Sequence, residues 1–125
     1  MIQVLIYEDN SELQEALKLL LESEGAFKVV GQNTNCCDVL KEMDRYHPDI
    51  IIMDVDLPMM SGIEGLKEIR KVNQQVKVLI FTMFGDEDLK EQSRVSGANG
   101  FLLKKTPPQK LLQYLKMMQE GKQVF

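Results

Sequence analysis

Short apolar runs and longer amphipathic stretches alternate along the whole chain, and this alternation predicts its architecture. Ile2–Tyr7 is a compact apolar run of strand length. Asn10 and Ser11 follow as helix-start residues, and Ser11-Glu-Leu-Gln14 fits a capping box, in which a hydroxyl and the residue three later satisfy orphan backbone amides reciprocally. Leu13, Ala16, Leu17, Leu20 and Leu21 then recur at helical spacing until Gly25, which suits a left-handed stop. The same cycle repeats. Phe27–Gly31 predicts a second strand, and Cys36–Tyr46 a second helix with Val39, Leu40 and Met43 on one face, ended by His47-Pro48. Asp49–Asp54 is a third strand, and Ser61-Gly-Ile-Glu64 is a capping box opening a third helix to about Val72. Val76–Thr82 and Gly100–Leu103 predict the fourth and fifth strands, with a helix over Asp86–Ser96 between them. A last helix carries Leu111, Leu112, Leu115 and Met118 to Gly121, with Thr106 as its capping hydroxyl and Pro107 in its first position.

Strictly alternating strands and helices imply an α/β fold with a parallel sheet covered on both faces and right-handed crossovers. The stretch DIIIMD is apolar on both faces, which marks a strand in the middle of that sheet. No repeat or linker interrupts the pattern, so residues 1–125 read as one domain.

Composition narrows the function. Fifteen Lys and Arg against nineteen Asp and Glu give a net charge of -4, a poor match to a phosphate backbone, so nucleic-acid binding by this domain alone is not expected. Apolar runs such as Ile50–Met53 and Val78–Phe81 are far shorter than the roughly 20 residues of a membrane span. No signal peptide is visible at Met1. Cys36 and Cys37 are sequence neighbours, which makes a bridge between them strained, and they read as free thiols in a reducing cytoplasm.

In parallel α/β sheets, ligands bind beyond the carboxyl ends of the strands. Those ends carry Glu8 and Asp9, Asp54, Thr82 and Lys104. Converging carboxylates repel until one is protonated or a cation joins them, and an oxygen-only donor set without histidine or thiolate favours a hard ion, Mg²⁺ before Ca²⁺. Three carboxylates, one ammonium and Mg²⁺ come close to neutrality, so a phosphoryl dianion can approach. With the metal held mainly by Glu8 and Asp9, Asp54 keeps an oxygen free to act as a nucleophile. Thr82 can donate to the attached group.

Four stretches, LIYEDN, DIIIMDVDLPMMSGIEGLKEIRK, VLIFTMF and SGANGFLLKK, together resemble the receiver domain of bacterial two-component response regulators. The last two, with the helix ending in MMQEGK, are similar to the subfamily whose receivers precede a helix-turn-helix DNA-binding domain of the LuxR or NarL type. The resemblance implies a flavodoxin-like (βα)5 three-layer sandwich with strand order 2-1-3-4-5, the fold of the chemotaxis regulator that serves as a standard example of this topology. It implies Asp54 as phosphoacceptor, and Glu8, Asp9, Asp54 and the backbone carbonyl of Asp56 as ligands of Mg²⁺ or Mn²⁺. It further implies Lys104 as the phosphoryl-contacting lysine, Thr82 and Phe101 as switch residues, and Pro58 and Gly62 as shapers of the loop after Asp54. The Lys–Pro bond that many receivers carry here is replaced by Lys104-Lys105. Implied partners are a sensor histidine kinase, a second copy of the chain on phosphorylation, and DNA through a further domain expected beyond Phe125.

Two other functions compete. IIIMDVDLP also resembles the first motif of haloacid-dehalogenase-type phosphatases. Pro58 stands where that motif has Thr or Val, and Glu120 is the only acid after Lys104, whereas the metal-binding acids lie upstream. A stand-alone receiver acting on a protein partner is the closer alternative. Other features read as ordinary structure: Phe101 as a core aromatic as well as a switch, the methionine pairs as packing or contact surface, and His47 without a ligand role.

Overall fold

The computed structural model describes residues 1–125. Its elements are β1 (Ile2–Tyr7), α1 (Ser11–Ser23), β2 (Phe27–Asn33), α2 (Val39–Tyr46), β3 (Ile50–Met53), α3 (Gly62–Val72), β4 (Lys77–Thr82), α4 (Glu87–Val95), β5 (Gly100–Leu103) and α5 (Pro108–Gln119). The strands form one parallel five-stranded sheet of order β2-β1-β3-β4-β5, the flavodoxin-like arrangement.

The period of two in the strands separates the two cores. Leu5, Tyr7, Ile51, Met53, Val78 and Ile80 face α2 and α3, where they meet Val39, Met43, Ile63, Leu66 and Ile69. Val4, Ile6, Ile50, Ile52, Leu79 and Phe81 face α1 and α5, meeting Leu17, Leu21, Leu111, Leu115 and Met118. β3 has no exposed face, and each buried isoleucine contributes roughly 1.5–3 kcal/mol relative to an exposed one. That explains the unbroken IIIM run.

Several boundaries differ from the sequence reading. Asn10, not Ser11, caps α1, its side chain accepting the Leu13 N–H at 3.1 Å. α2 starts at Val39, because Cys36–Asp38 form a turn closed by Val39 N–H to Cys36 O (3.2 Å), and Leu40 faces solvent. β2 runs on to Asn33, since a register shift opposite Val4 and Leu5 keeps the polar Gly31–Asn33 stretch paired with β1. Thr106 does not cap α5. Its hydroxyl donates to Leu103 O, and Pro107 and Pro108 occupy the cap and first position. At α3 the hydroxyl half of the capping box forms, Ser61 Oγ accepting the Glu64 N–H at 3.2 Å, without the return bond to the Glu64 side chain.

Candidate functional site

The sheet's hydrogen bonding carries past the ends of its central strands and places the acidic residues side by side. Glu8 N–H donates to Asn33 O (3.0 Å) and Asp54 N–H to Tyr7 O (3.1 Å), so both residues leave the sheet in strand register. After Asp54 the chain turns sharply. Gly62 N–H and Leu57 N–H both donate to Val55 O, each at 3.0 Å, and Met59 adopts a left-handed φ of 72°. A Cβ on Gly62 would lie 1.9 Å from Asp54 O, so only glycine lets α3 start this close to the acid.

Carboxylate oxygens of Glu8, Asp9 and Asp54 lie within 4.8 Å of one another. Glu8 and Asp54 are buried and Asp9 is exposed. Lys104 Nζ bridges the buried pair, 2.5 Å from Glu8 Oε1 and 2.5 Å from Asp54 Oδ2. Their remaining oxygens accept backbone donors: Asn10 N–H to Glu8 Oε2 (3.0 Å) and Asp56 N–H to Asp54 Oδ1 (3.2 Å). Burial pushes the Glu8 carboxyl above the usual range, and the neighbouring Asp54 charge adds to this against the pull of Lys104 and the Asn10 amide. For Lys104, burial favours the neutral amine, but the bonds to Asp54 and Glu8 outweigh it and raise its pKa. One ammonium among three carboxylates leaves two negative charges uncompensated at the mouth of the site. A divalent hard cation matches that deficit in charge and donor type.

The neighbouring strands complete the site. Lys104 N–H donates to Thr82 O (2.8 Å), which fixes the ends of β4 and β5 relative to each other. The Thr82 hydroxyl is buried without a hydrogen-bond partner. Phe101 is buried with its ring over Gly85, where a Cβ would come within 2.5 Å of Phe101 Cζ. Met59 and Phe84 are 80% and 79% exposed on the two loops that flank Asp54 and Thr82, and Asp56 is exposed beside them. All peptide bonds are trans.

Glu8, Asp9, Asp54 and Lys104 are thus brought together, with Thr82 at the end of the adjacent strand β4 and Phe101 on β5 against Gly85. Three supporting groups escaped the sequence reading. Gln14, read as half of a capping box, donates its side-chain amide to Glu8 O (2.5 Å) instead. Arg70 ties the end of α3 to the α4–β5 turn, donating to Gly97 O (2.9 Å) and Asn99 Oδ1 (2.9 Å). Val124 lies along the edge of β5, its N–H on Asn99 O and its carbonyl accepting the Phe101 N–H, both at 2.9 Å. Only a helical glutamine next to the acidic loop offered a readable signal; the other two depend on contacts distant in sequence.

Known proteins resemble this chain in sequence and in fold. DegU, a transcriptional regulatory protein of Brevibacillus brevis, is 29% identical over 120 residues, covering 96% of this chain and 51% of its own length. The chain therefore spans about half the length of that curated regulator. The chemotaxis protein CheY of Thermotoga maritima is 28% identical over 113 residues, covering 90% of this chain and 93% of its own. Among solved structures, a LuxR-family two-component response regulator from Aurantimonas sp. SI85-9A1 superposes with a TM-score of 0.94 at 25% identity, over 98% of this chain and 88% of that one. The response regulator receiver domain profile matches residues 4–116, and with the strand order and the acidic cluster around Lys104 it places the chain in the receiver domain family of two-component response regulators.

Proposed function

We propose that Asp54 is the phosphoacceptor, taking a phosphoryl group from a phosphohistidine of a sensor histidine kinase or from a small donor such as acetyl phosphate. The observation that carries this reading is the buried Asp54 carboxylate sharing Lys104 with Glu8, within 4.8 Å of a third carboxylate, at the end of the central strand. An Asp54 oxygen forms the new O–P bond; with phosphohistidine the P–N bond breaks and the imidazole leaves with that electron pair, and with acetyl phosphate the P–O bond to the acetyl group breaks and acetate leaves with it. Glu8, Asp9, Asp54 and the Asp56 carbonyl would hold Mg²⁺ or Mn²⁺, which when bound neutralises charge on the transferring group. Lys104 moves its contacts from the carboxylates to the phosphoryl oxygens, and the unpartnered Thr82 hydroxyl donates to one of them. That shift draws on the β4–α4 loop and favours one setting of Phe101, so the α4, β5 and α5 surface changes population between two states.

A matching length of DNA-binding chain beyond residue 125 would turn this change into transcriptional regulation, as the resemblance to DegU suggests, with paired receivers on phosphorylation. The coverage of CheY keeps a stand-alone receiver as the second reading. A reading frame continuing into a helix-turn-helix supports the first, and a stop codon after Phe125 the second. Mass spectrometry after acetyl phosphate and Mg²⁺ should show one phosphate adduct that is absent from Asp54→Asn; an adduct surviving in the variant refutes the assignment.

A further inference from the structure

The loop that presents Glu8 and Asp9 is tied to the fold by a side chain belonging to neither strand nor loop. Gln14 Nε2, one turn into α1, reaches back to Glu8 O at 2.5 Å and to Asn33 O at 3.3 Å. Its own backbone carbonyl accepts the Gln32 side-chain amide at 2.6 Å, which fixes the start of α1 against the end of β2. Both polar groups of the Glu8 backbone are therefore engaged, the N–H on Asn33 O (3.0 Å) and the C=O on Gln14. Glu8 O lies in the same rigid plane as the Asp9 N–H, so holding that oxygen fixes the peptide plane from which Asp9 departs. This matters more for Asp9 than for its neighbours. Lys104 fastens the Glu8 and Asp54 carboxylates directly, whereas the exposed Asp9 carboxylate is aimed by its backbone.

We propose that Gln14 is a positioning residue for the cation site: by clamping the Glu8–Asp9 peptide it holds the Asp9 carboxylate within reach of Glu8 and Asp54. Length and chemistry both count. Asparagine is one methylene short of the Glu8 carbonyl, and methionine has the length without the donor. Outer partners that orient metal ligands commonly contribute about ten- to a hundredfold in affinity.

The inference rests on the reading of Glu8, Asp9 and Asp54 as Mg²⁺ ligands, and a titration by two-dimensional NMR of the unphosphorylated chain tests the two separately. Mg²⁺ is the probe, and thermal melting without Mg²⁺ is recorded in parallel. Gln14→Met is expected to bind Mg²⁺ about tenfold more weakly than the wild type. Asp49→Ala serves as the control, because it removes a comparable bond, to Gln3 N–H at 2.8 Å, at the opposite end of β1. It should lower the melting temperature and leave the Mg²⁺ midpoint unchanged. An unchanged midpoint in Gln14→Met, or an equal weakening in Asp49→Ala, overturns the role of Gln14. Absence of saturable Mg²⁺ shifts in the wild type overturns the ligand reading itself. If Gln14→Met does not fold, the wild type still decides: its Gln14 side-chain amide should shift with the same midpoint as the Asp9 backbone amide, and a silent Gln14 amide counts against the proposal.

Discussion

α3 and α4 leave neighbouring strands at the same end of the sheet, yet one is built into the core and the other rests on it. α3 buries Gly62, Ile63, Gly65, Leu66 and Ile69, whereas α4 buries only Ser93 and leaves Val95 67% exposed. The sequence of α4, EDLKEQSRV, offers Leu89 as its main apolar contact, and its ion pairs Lys90–Glu87 and Arg94–Glu91 are solvent-exposed and add little. The loop into α3 carries Asp54; the loop into α4 follows Thr82. The residue proposed to form the covalent bond thus sits on the firmly held side, and the residue proposed to respond sits where the structure yields at low cost. A receiver needs both properties, and here they fall on consecutive strand–helix units.

The largest expected effect comes from the cores of the two helices. Leu66→Ala should destabilise by about 2–5 kcal/mol in urea unfolding and Leu89→Ala by about 1 kcal/mol, since Leu66 is wholly buried and Leu89 only partly so. Similar losses would erase the contrast. The next test compares the loops. Asp56 and the exposed Phe84 lie two residues beyond Asp54 and Thr82, and the proposal to be tested is that an acidic charge and an aromatic ring there hinder an attacking water. On that proposal, a phosphoryl group carried by Asp54 should decay several-fold faster in Asp56→Asn/Phe84→Ala, measured by phosphate release, and equal decay rates would remove that role.

Thr82→Val sharpens the comparison at smaller scale. A buried hydroxyl without a partner is a net burden of about 1–3 kcal/mol, so the variant should be as stable as the wild type or more so. At the same time, the change in α4 hydrogen exchange proposed to follow phosphorylation should shrink. A marked loss of stability would mean that the hydroxyl is satisfied in solution. The smallest effect concerns the thiol sealed under α3. Cys36 Sγ donates to Met60 O (3.5 Å), and burial pushes the thiol up to about 11. Its folded pKa lies above the ordinary value of 9.0, so its contribution to stability is full below that value and fades as pH rises through about 11. At about pH 8 a thiol reagent should modify the exposed Cys37 alone; rapid labelling of Cys36 would show α3 to be loosely held.

Most of the architecture was readable from local pattern. The IIIM run marked a central strand because only a strand covered on both faces drops its polar alternation. The site residues were readable because the carboxyl ends of parallel strands are a predictable place, and Glu8, Asp9, Asp54, Thr82 and Lys104 follow apolar runs directly. Three of the misreadings share one cause. Gln14, Thr106 and Gly31–Asn33 carry local signals for capping or turning, and in each case a partner elsewhere in the chain or a neighbouring backbone group took the polar atom instead.

Element order, the alternation that sorts residues between two cores, and the identity of the charged groups at the strand ends are properties of short windows, so they are already present in the linear chain. Three things required the assembled fold. Lys104 bridges Glu8 and Asp54 because parallel pairing brings strand ends distant in sequence into register. The Thr82 hydroxyl is stranded because β4 is buried on both faces up to its end. The Glu8–Asp9 peptide is clamped because α1 folds back across β2, and a helix's return path is set by packing, which no single stretch of sequence encodes.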